Sequence, residues 1–216
     1  GYFEDIEYGV DFFTGHTVIE QLGKHKITDL AYSNFKITEK EDLYTLSSDL
    51  LVDKIRFENT TIIEKEIITL IKKISLPFRD NQIIHPFRFT FISDLWDRDS
   101  LYFATHNGGN FIETFQVNNQ DFDHGDNHSF LISSKHGLGN TKGEVIIGDK
   151  DKKLVFKINL KKSLLIPSIL YKNIDGDKFL FRLTYSAQEI DETSRISQTQ
   201  ESIIAQISVN CVSNHL

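Results

Sequence analysis

Hydrophobic and polar residues alternate with a period of two over much of this chain, the signature of strands with one buried face. Phe87-Arg88-Phe89-Thr90-Phe91-Ile92 is the cleanest such run. Leu154 to Leu160, Phe179 to Tyr185 and Ile203 to Val209 repeat the pattern, and Phe3, Ile6, Tyr8 and Val10 carry a looser version. Shorter strand-like pieces, Phe35-Lys36-Ile37, Leu43 to Leu46 and Lys54 to Phe57, are separated by charged turns such as Glu39-Lys40-Glu41-Asp42. Leu101-Tyr102-Phe103 and the run from Phe111 to Val117 flank Asn107-Gly108-Gly109-Asn110, whose glycines suit a hairpin turn. Glu144 to Asp149 follows a loop spaced by Gly137, Gly139 and Gly143, and the apolar run from Leu164 to Tyr171 is broken by Pro167.

Residues 60–76 fit two periods. Ile63, Ile67, Leu70, Ile71 and Ile74 would share a helical face, whereas Ile68, Leu70, Ile74 and Leu76 would share a strand face, with Lys72 the exception. The β-branched content favours one long strand, closed by Pro77.

Ten or more strands with turn signals every 8–12 residues or so predict an all-β sandwich or barrel. No linker, low-complexity segment or clean internal repeat divides the chain, so residues 1–216 read as a single domain. With 39% hydrophobic and 12% aromatic residues, 17 of them Phe, the chain can bury a sizeable core. The opening Gly1 reads as a cleaved tag or as an excision from a larger chain.

The formal charge is −7 and no basic block stands out, which argues against nucleic acid as a partner. The one cysteine, Cys211, excludes an internal disulfide framework and a cysteine zinc site. Nothing approaches a transmembrane run, so no membrane partner is expected. No signal peptide is visible, and the compartment stays open with a lean towards the cytoplasm.

Candidate chemistry concentrates between Trp96 and Phe115, where the only tryptophan precedes Asp97-Arg98-Asp99 and His106, Asn107 and Glu113 bracket the glycine turn. Trp96, with Tyr102 and Phe103, could offer an aromatic face for a sugar ring, although a lone tryptophan is more often a core anchor. Asp97-Arg98-Asp99 reads as a charge network that fixes the loop. His106 and Glu113 could meet across the hairpin as an acid–base pair, as holders of a hydroxylated ligand, or as a structural hydrogen bond. Asp121, Asp123 and Asp126 alternate around Gly125 and could wrap calcium, yet no acid stands where an EF-hand closes, and a solvated loop is the alternative. Glu189 and Asp191 follow a strand and could line a pocket at its exit. Gly137-Leu-Gly139-Asn-Thr-Lys-Gly143 lacks the ending and the helix of a phosphate loop, so nucleotide binding is rejected.

Three segments, L-Y-F-A-T-H-N-G-G-N-F-I-E-T-F (101–115), H-G-L-G-N-T-K-G-E-V-I-I-G-D-K-D-K (136–152) and F-R-L-T-Y-S-A-Q-E-I-D-E-T-S (181–194), resemble the all-β region downstream of the catalytic barrel in glycoside hydrolases related to families 57 and 38. Those regions are similar to galactose-mutarotase-like sandwiches. The resemblance implies a large antiparallel two-sheet supersandwich, acting as an accessory carbohydrate-associated domain that packs on a catalytic domain of the same parent chain. It implies that the catalytic carboxylates lie in that separate barrel. It places Arg98, His106, Asn107, Glu113, Lys142, Glu189 and Asp191 on a sugar-facing or barrel-facing surface. The alternatives are a free-standing mutarotase- or epimerase-like enzyme using His106 and Glu113, and a plain structural sandwich.

Overall fold

The alternating runs become fifteen strands among the described residues: β1 (His16–Gln21), β2 (Lys26–Thr28), β3 (Phe35–Lys40), β4 (Leu43–Val52), β5 (Ile55–Glu64), β6 (Ile67–Ser75), β7 (Gln82–Ile92), β8 (Tyr102–Thr105), β9 (Glu113–Gln116), β10 (Ser129–Ile132), β11 (Glu144–Gly148), β12 (Lys152–Ile158), β13 (Ile166–Asn173), β14 (Phe179–Ser186) and β15 (Ser202–Ser213). The structure is a computed structural model and describes residues 14–21, 26–31, 33–77, 82–92, 96–117, 129–174, 178–188 and 201–213. The strand expected around Phe3 to Val10 lies outside the described residues.

Two antiparallel sheets form the fold. One runs β10-β13-β14-β7-β1-β2 and the other β3-β4-β5-β6-β15-β12-β11-β8-β9. The large two-sheet antiparallel sandwich expected from the sequence is the fold observed. Every other residue of the central strands enters the interface between the sheets. Phe89 of β7 meets Phe156 of β12 at a ring separation of 4.9 Å, and Phe91 meets the same ring at 6.1 Å. Around them Phe57, Ile74, Phe87, Phe103, Phe181, Leu183, Tyr185 and Ile207 complete a continuous buried core.

Three local expectations are corrected. Residues 60–76 are not one strand but the two arms of a hairpin. β5 and β6 pair Glu64 with Ile67 and Ile63 with Ile68, so Lys65 and Glu66 alone make the turn. Lys65 supplies the left-handed backbone, φ 53°, that a glycine would usually provide. Lys54 is likewise a turn residue and not the start of a strand, with Asp53 and Lys54 at φ 47° and 70°. Pro167 does not break its strand. It stands opposite Tyr185 in β13, while β10 pairs only with Ile169 to Lys172, so the missing N–H falls where the sheet edge is open.

The nine-stranded sheet is wider than its partner. The outer strands β3 to β6 carry the inner apolar face beyond the six-stranded sheet. Register aligns Ile37 with Leu46, and Tyr44 with Ile63 and then Ile68. Phe35 is 68% exposed on this face and Ile37 55%.

Candidate functional site

Lys72 is the one charged residue on the inner face of β6, between Leu70 and Ile74. It is buried because it has a partner. Its ammonium donates to Asp29 Oδ2 at 2.6 Å and to Thr17 Oγ1 at 2.9 Å. Asp29 accepts in addition from the Thr17 N–H at 2.8 Å, so both ends of the pair are tied to β1. Burial pushes the Lys72 ammonium below its usual range, and the Asp29 charge and hydrogen bond oppose that push. Asn59 stands directly across from Lys72 on β5. Its Oδ1 is buried and has no hydrogen-bond partner among the described residues.

These groups lie in a cleft of about 780 Å³ where the two sheets part. Phe89 and Phe91 form the wall from the six-stranded sheet, and Leu70, Leu154 and Phe156 the wall from the nine-stranded one. Trp96, Lys152 and His16 also line the cleft. The Trp96 ring stands edge-on to Phe91, with centroids 5.7 Å apart at 89°. Lys152 Nζ lies 4.9 Å from the centre of the Trp96 ring.

The loop that carries Trp96 is fixed by the turn between β11 and β12. Asp149 Oδ1 accepts from the backbone N–H groups of Asp151 and Lys152, each at 2.9 Å, and Oδ2 accepts from the Asp97 N–H at 3.1 Å. Burial pushes the Asp149 carboxyl up, but these three donors and the Lys152 charge outweigh it and hold it below the usual range. Asp97 Oδ2 in turn accepts from Ser100 Oγ at 2.6 Å and faces Lys150 Nζ at 3.3 Å.

The described residues singled out from the sequence separate into three places. Trp96 lines the cleft. Arg98 is pinned to β13: Nε donates to Tyr171 Oη at 3.2 Å and Nη2 to Asn173 Oδ1 at 3.0 Å. Asn107 and Glu113 do come together, as Asn107 Nδ2 donates to Glu113 Oε2 at 2.9 Å. Asn107 Oδ1 also accepts from the Gly139 N–H at 2.7 Å. Glu113 stands across from Thr105, not His106, and its hydrogen bond comes from Asn107. His106 is buried and engages through its carbonyl, which accepts from the Thr141 N–H and hydroxyl, each at 2.9 Å.

This cluster explains the glycine-rich loop. A Cβ at Gly139 would collide with Asn107 Oδ1, and one at Gly137 would reach to 2.5 Å from Phe115 Cζ. The loop is therefore a strap over the β8–β9 hairpin, held by Asn107. Arg98, His106, Asn107 and Glu113 do not line the cleft. Glu189 and Asp191, and the calcium candidates Asp121, Asp123 and Asp126, lie outside the described residues.

Sequence reasoning did not single out Asp29, Asn59 or Lys152, which come from three separate stretches. Lys72 did leave a signal, as the charged exception in an otherwise apolar strand face.

No family model matches the chain, and no curated protein matches it. Several solved structures do. The Slr1438 protein from Synechocystis sp. PCC 6803 is similar at 8% identity and a TM-score of 0.51, over 83% of this chain and 66% of that one. The galactosidase domain of alpha-galactosidase-sucrose kinase, AgaSK, is similar at 9% identity and a TM-score of 0.47, over 91% of this chain. This chain spans only 30% of that protein's length. A putative aldose 1-epimerase from Escherichia coli K12 is similar at 14% identity and a TM-score of 0.44, over 85% of this chain and 69% of that one. At such identities the likeness is one of fold.

Proposed function

We propose that this chain is an accessory, carbohydrate-associated β-sandwich domain of a larger glycoside hydrolase-like protein, and that it contacts glycan in the cleft between its sheets. The observation that carries this reading is the lining of that cleft. Aromatic rings from Trp96, Phe89 and Phe91 stand beside an unsatisfied carboxamide oxygen on Asn59 and the Lys72–Asp29 pair. A pyranose has an apolar C–H face and hydroxyls around its edge. Aromatic walls with a few fixed polar groups suit both at once. A buried acceptor such as Asn59 Oδ1 gains most from a ligand hydroxyl, because leaving it unmade is costly.

The packing partner in this reading is a catalytic domain of the parent chain. The uncovered apolar face of β3 to β6 supports that role, since exposed apolar patches of this kind mark interaction surfaces.

The test is a glycan array probed with the purified chain, followed by calorimetry on the strongest binder. Saturable binding is expected, with Trp96→Ala weakening it at least about tenfold, or about 1.4 kcal/mol. A blank array, or an affinity untouched by Trp96→Ala, contradicts the reading.

A further inference from the structure

We infer that the cleft takes an acidic saccharide, its ring against Trp96 and its carboxylate or sulfate on the Lys152 ammonium. The inference rests on the carbohydrate reading above and adds the ligand's charge.

Two lysines reach the cleft, and they differ in what they have left to offer. Lys72 is matched by Asp29 at 2.6 Å and by Thr17, deep in the wall. Among the described residues, the acid that Lys152 faces is Asp149, with 3.5 Å between Nζ and Oδ2. The oxygens of Asp149 already accept three backbone N–H groups. The Lys152 ammonium therefore keeps donors for a ligand, and its side chain is 37% exposed at the mouth of the site.

The position of that ammonium matters as much as its charge. It lies 4.9 Å from the centre of the Trp96 ring, so one ligand can use both. A flexible four-carbon stem lets the ammonium leave the ring and follow an acid on the sugar that takes its place. Among the described lining residues Asp29 is the only acid, and Lys72 neutralises it; the Asp149 carboxylate behind Lys152 is outside that lining, and its three backbone N–H donors offset its charge. His16 is the remaining titratable group there apart from the Cys211 thiol. Against a net charge of −7 for the whole chain, the cleft is a local exception.

The experiment uses an array that carries neutral, uronate-bearing and sulfated glycans, and then calorimetry of the best acidic binder beside its neutral counterpart of the same linkage. The acidic form is expected to bind at least tenfold more tightly. Lys152→Gln should bring the two within about twofold of each other, while Lys152→Arg keeps the preference. The uronate and sulfate arms tell which acid is read. Equal binding of acidic and neutral forms overturns this inference and leaves the carbohydrate reading standing. Absence of binding to any glycan overturns both.

Discussion

At the scale of single residues, a buried ion pair and a buried histidine set the conditions under which the fold holds. Lys72 and Asp29 are each tolerated in the interior because the other is there. Removing one leaves an uncompensated buried charge, so Lys72→Ala is expected to cost about 3–5 kcal/mol in urea denaturation. The double replacement Lys72→Met with Asp29→Leu should cost far less, because no lone charge remains. A single-mutant loss below about 1 kcal/mol would mean that water reaches Asp29 freely. His85 is the second case. Burial, with the charges of Arg88 and Lys26 added, pushes its imidazole down to about 3. Its Nδ1 sits 2.8 Å from Ser186 Oγ, and Glu20 Oε1 lies 3.8 Å from Nε2 without reversing the shift. The folded pKa is thus below the unfolded value of about 6.5, and the unfolded chain binds the extra proton between those limits. Stability is fully present above pH 6.5 or so and falls by up to about 1.4 kcal/mol per unit as pH drops through that window. Denaturation midpoints measured from pH 7 to 4 should show this slope, and His85→Gln should flatten it.

At the scale of elements, strands were legible wherever alternation was clean, as in β7, β12 and β14. Turns were legible where glycine marked them, as between β8 and β9. The β3–β6 meander was harder, because its tight turns use Glu41, Asp53, Lys54 and Lys65 at positive φ in place of glycine. Without that punctuation, the apolar runs of β5 and β6 merged into one apparent strand. A left-handed backbone costs a non-glycine residue roughly 1–2 kcal/mol, part of which glycine's greater unfolded freedom takes back. Lys65→Gly and Lys54→Gly are each expected to raise stability by about 0.5–1 kcal/mol, read from thermal or chemical unfolding. A loss of stability in both would show that these turns are held by side-chain contacts. The β8–β9 hairpin and its strap make a separate unit. Asn107→Ala removes the bonds to Gly139 and Glu113. It should cost about 1–2 kcal/mol of stability and leave glycan affinity unchanged, since the cleft lies elsewhere.

At the scale of the whole molecule, the sandwich was readable from strand count and spacing, but the site was not. The cleft draws Asn59 from β5, Lys72 from β6 and Lys152 from β12, which long-range pairing gathers in the nine-stranded sheet, and Trp96 from the loop after β7 of the other sheet. Trp96 was the contributor legible as ligand chemistry, while Lys72 showed only as a charged exception on a strand face. The polar residues around the glycine turn attracted attention for the same reason, yet they serve to fasten a strap. The wider sheet also leaves Phe35, Ile37, Tyr44 and Ile68 uncovered on the side that continues the cleft face. In the accessory-domain reading that surface belongs against a neighbouring domain. The double variant Phe35→Ser with Ile37→Ser should then leave the isolated domain's glycan affinity unchanged and weaken its association with the catalytic domain. The most direct test of a cleft-bound glycan is nuclear magnetic resonance mapping of the labelled chain titrated with its best array binder. Shift changes centred on the Trp96 indole, Asn59, Phe91 and Lys152 are expected. Changes centred instead on Asn107 and Glu113 at the β8–β9 hairpin would contradict it.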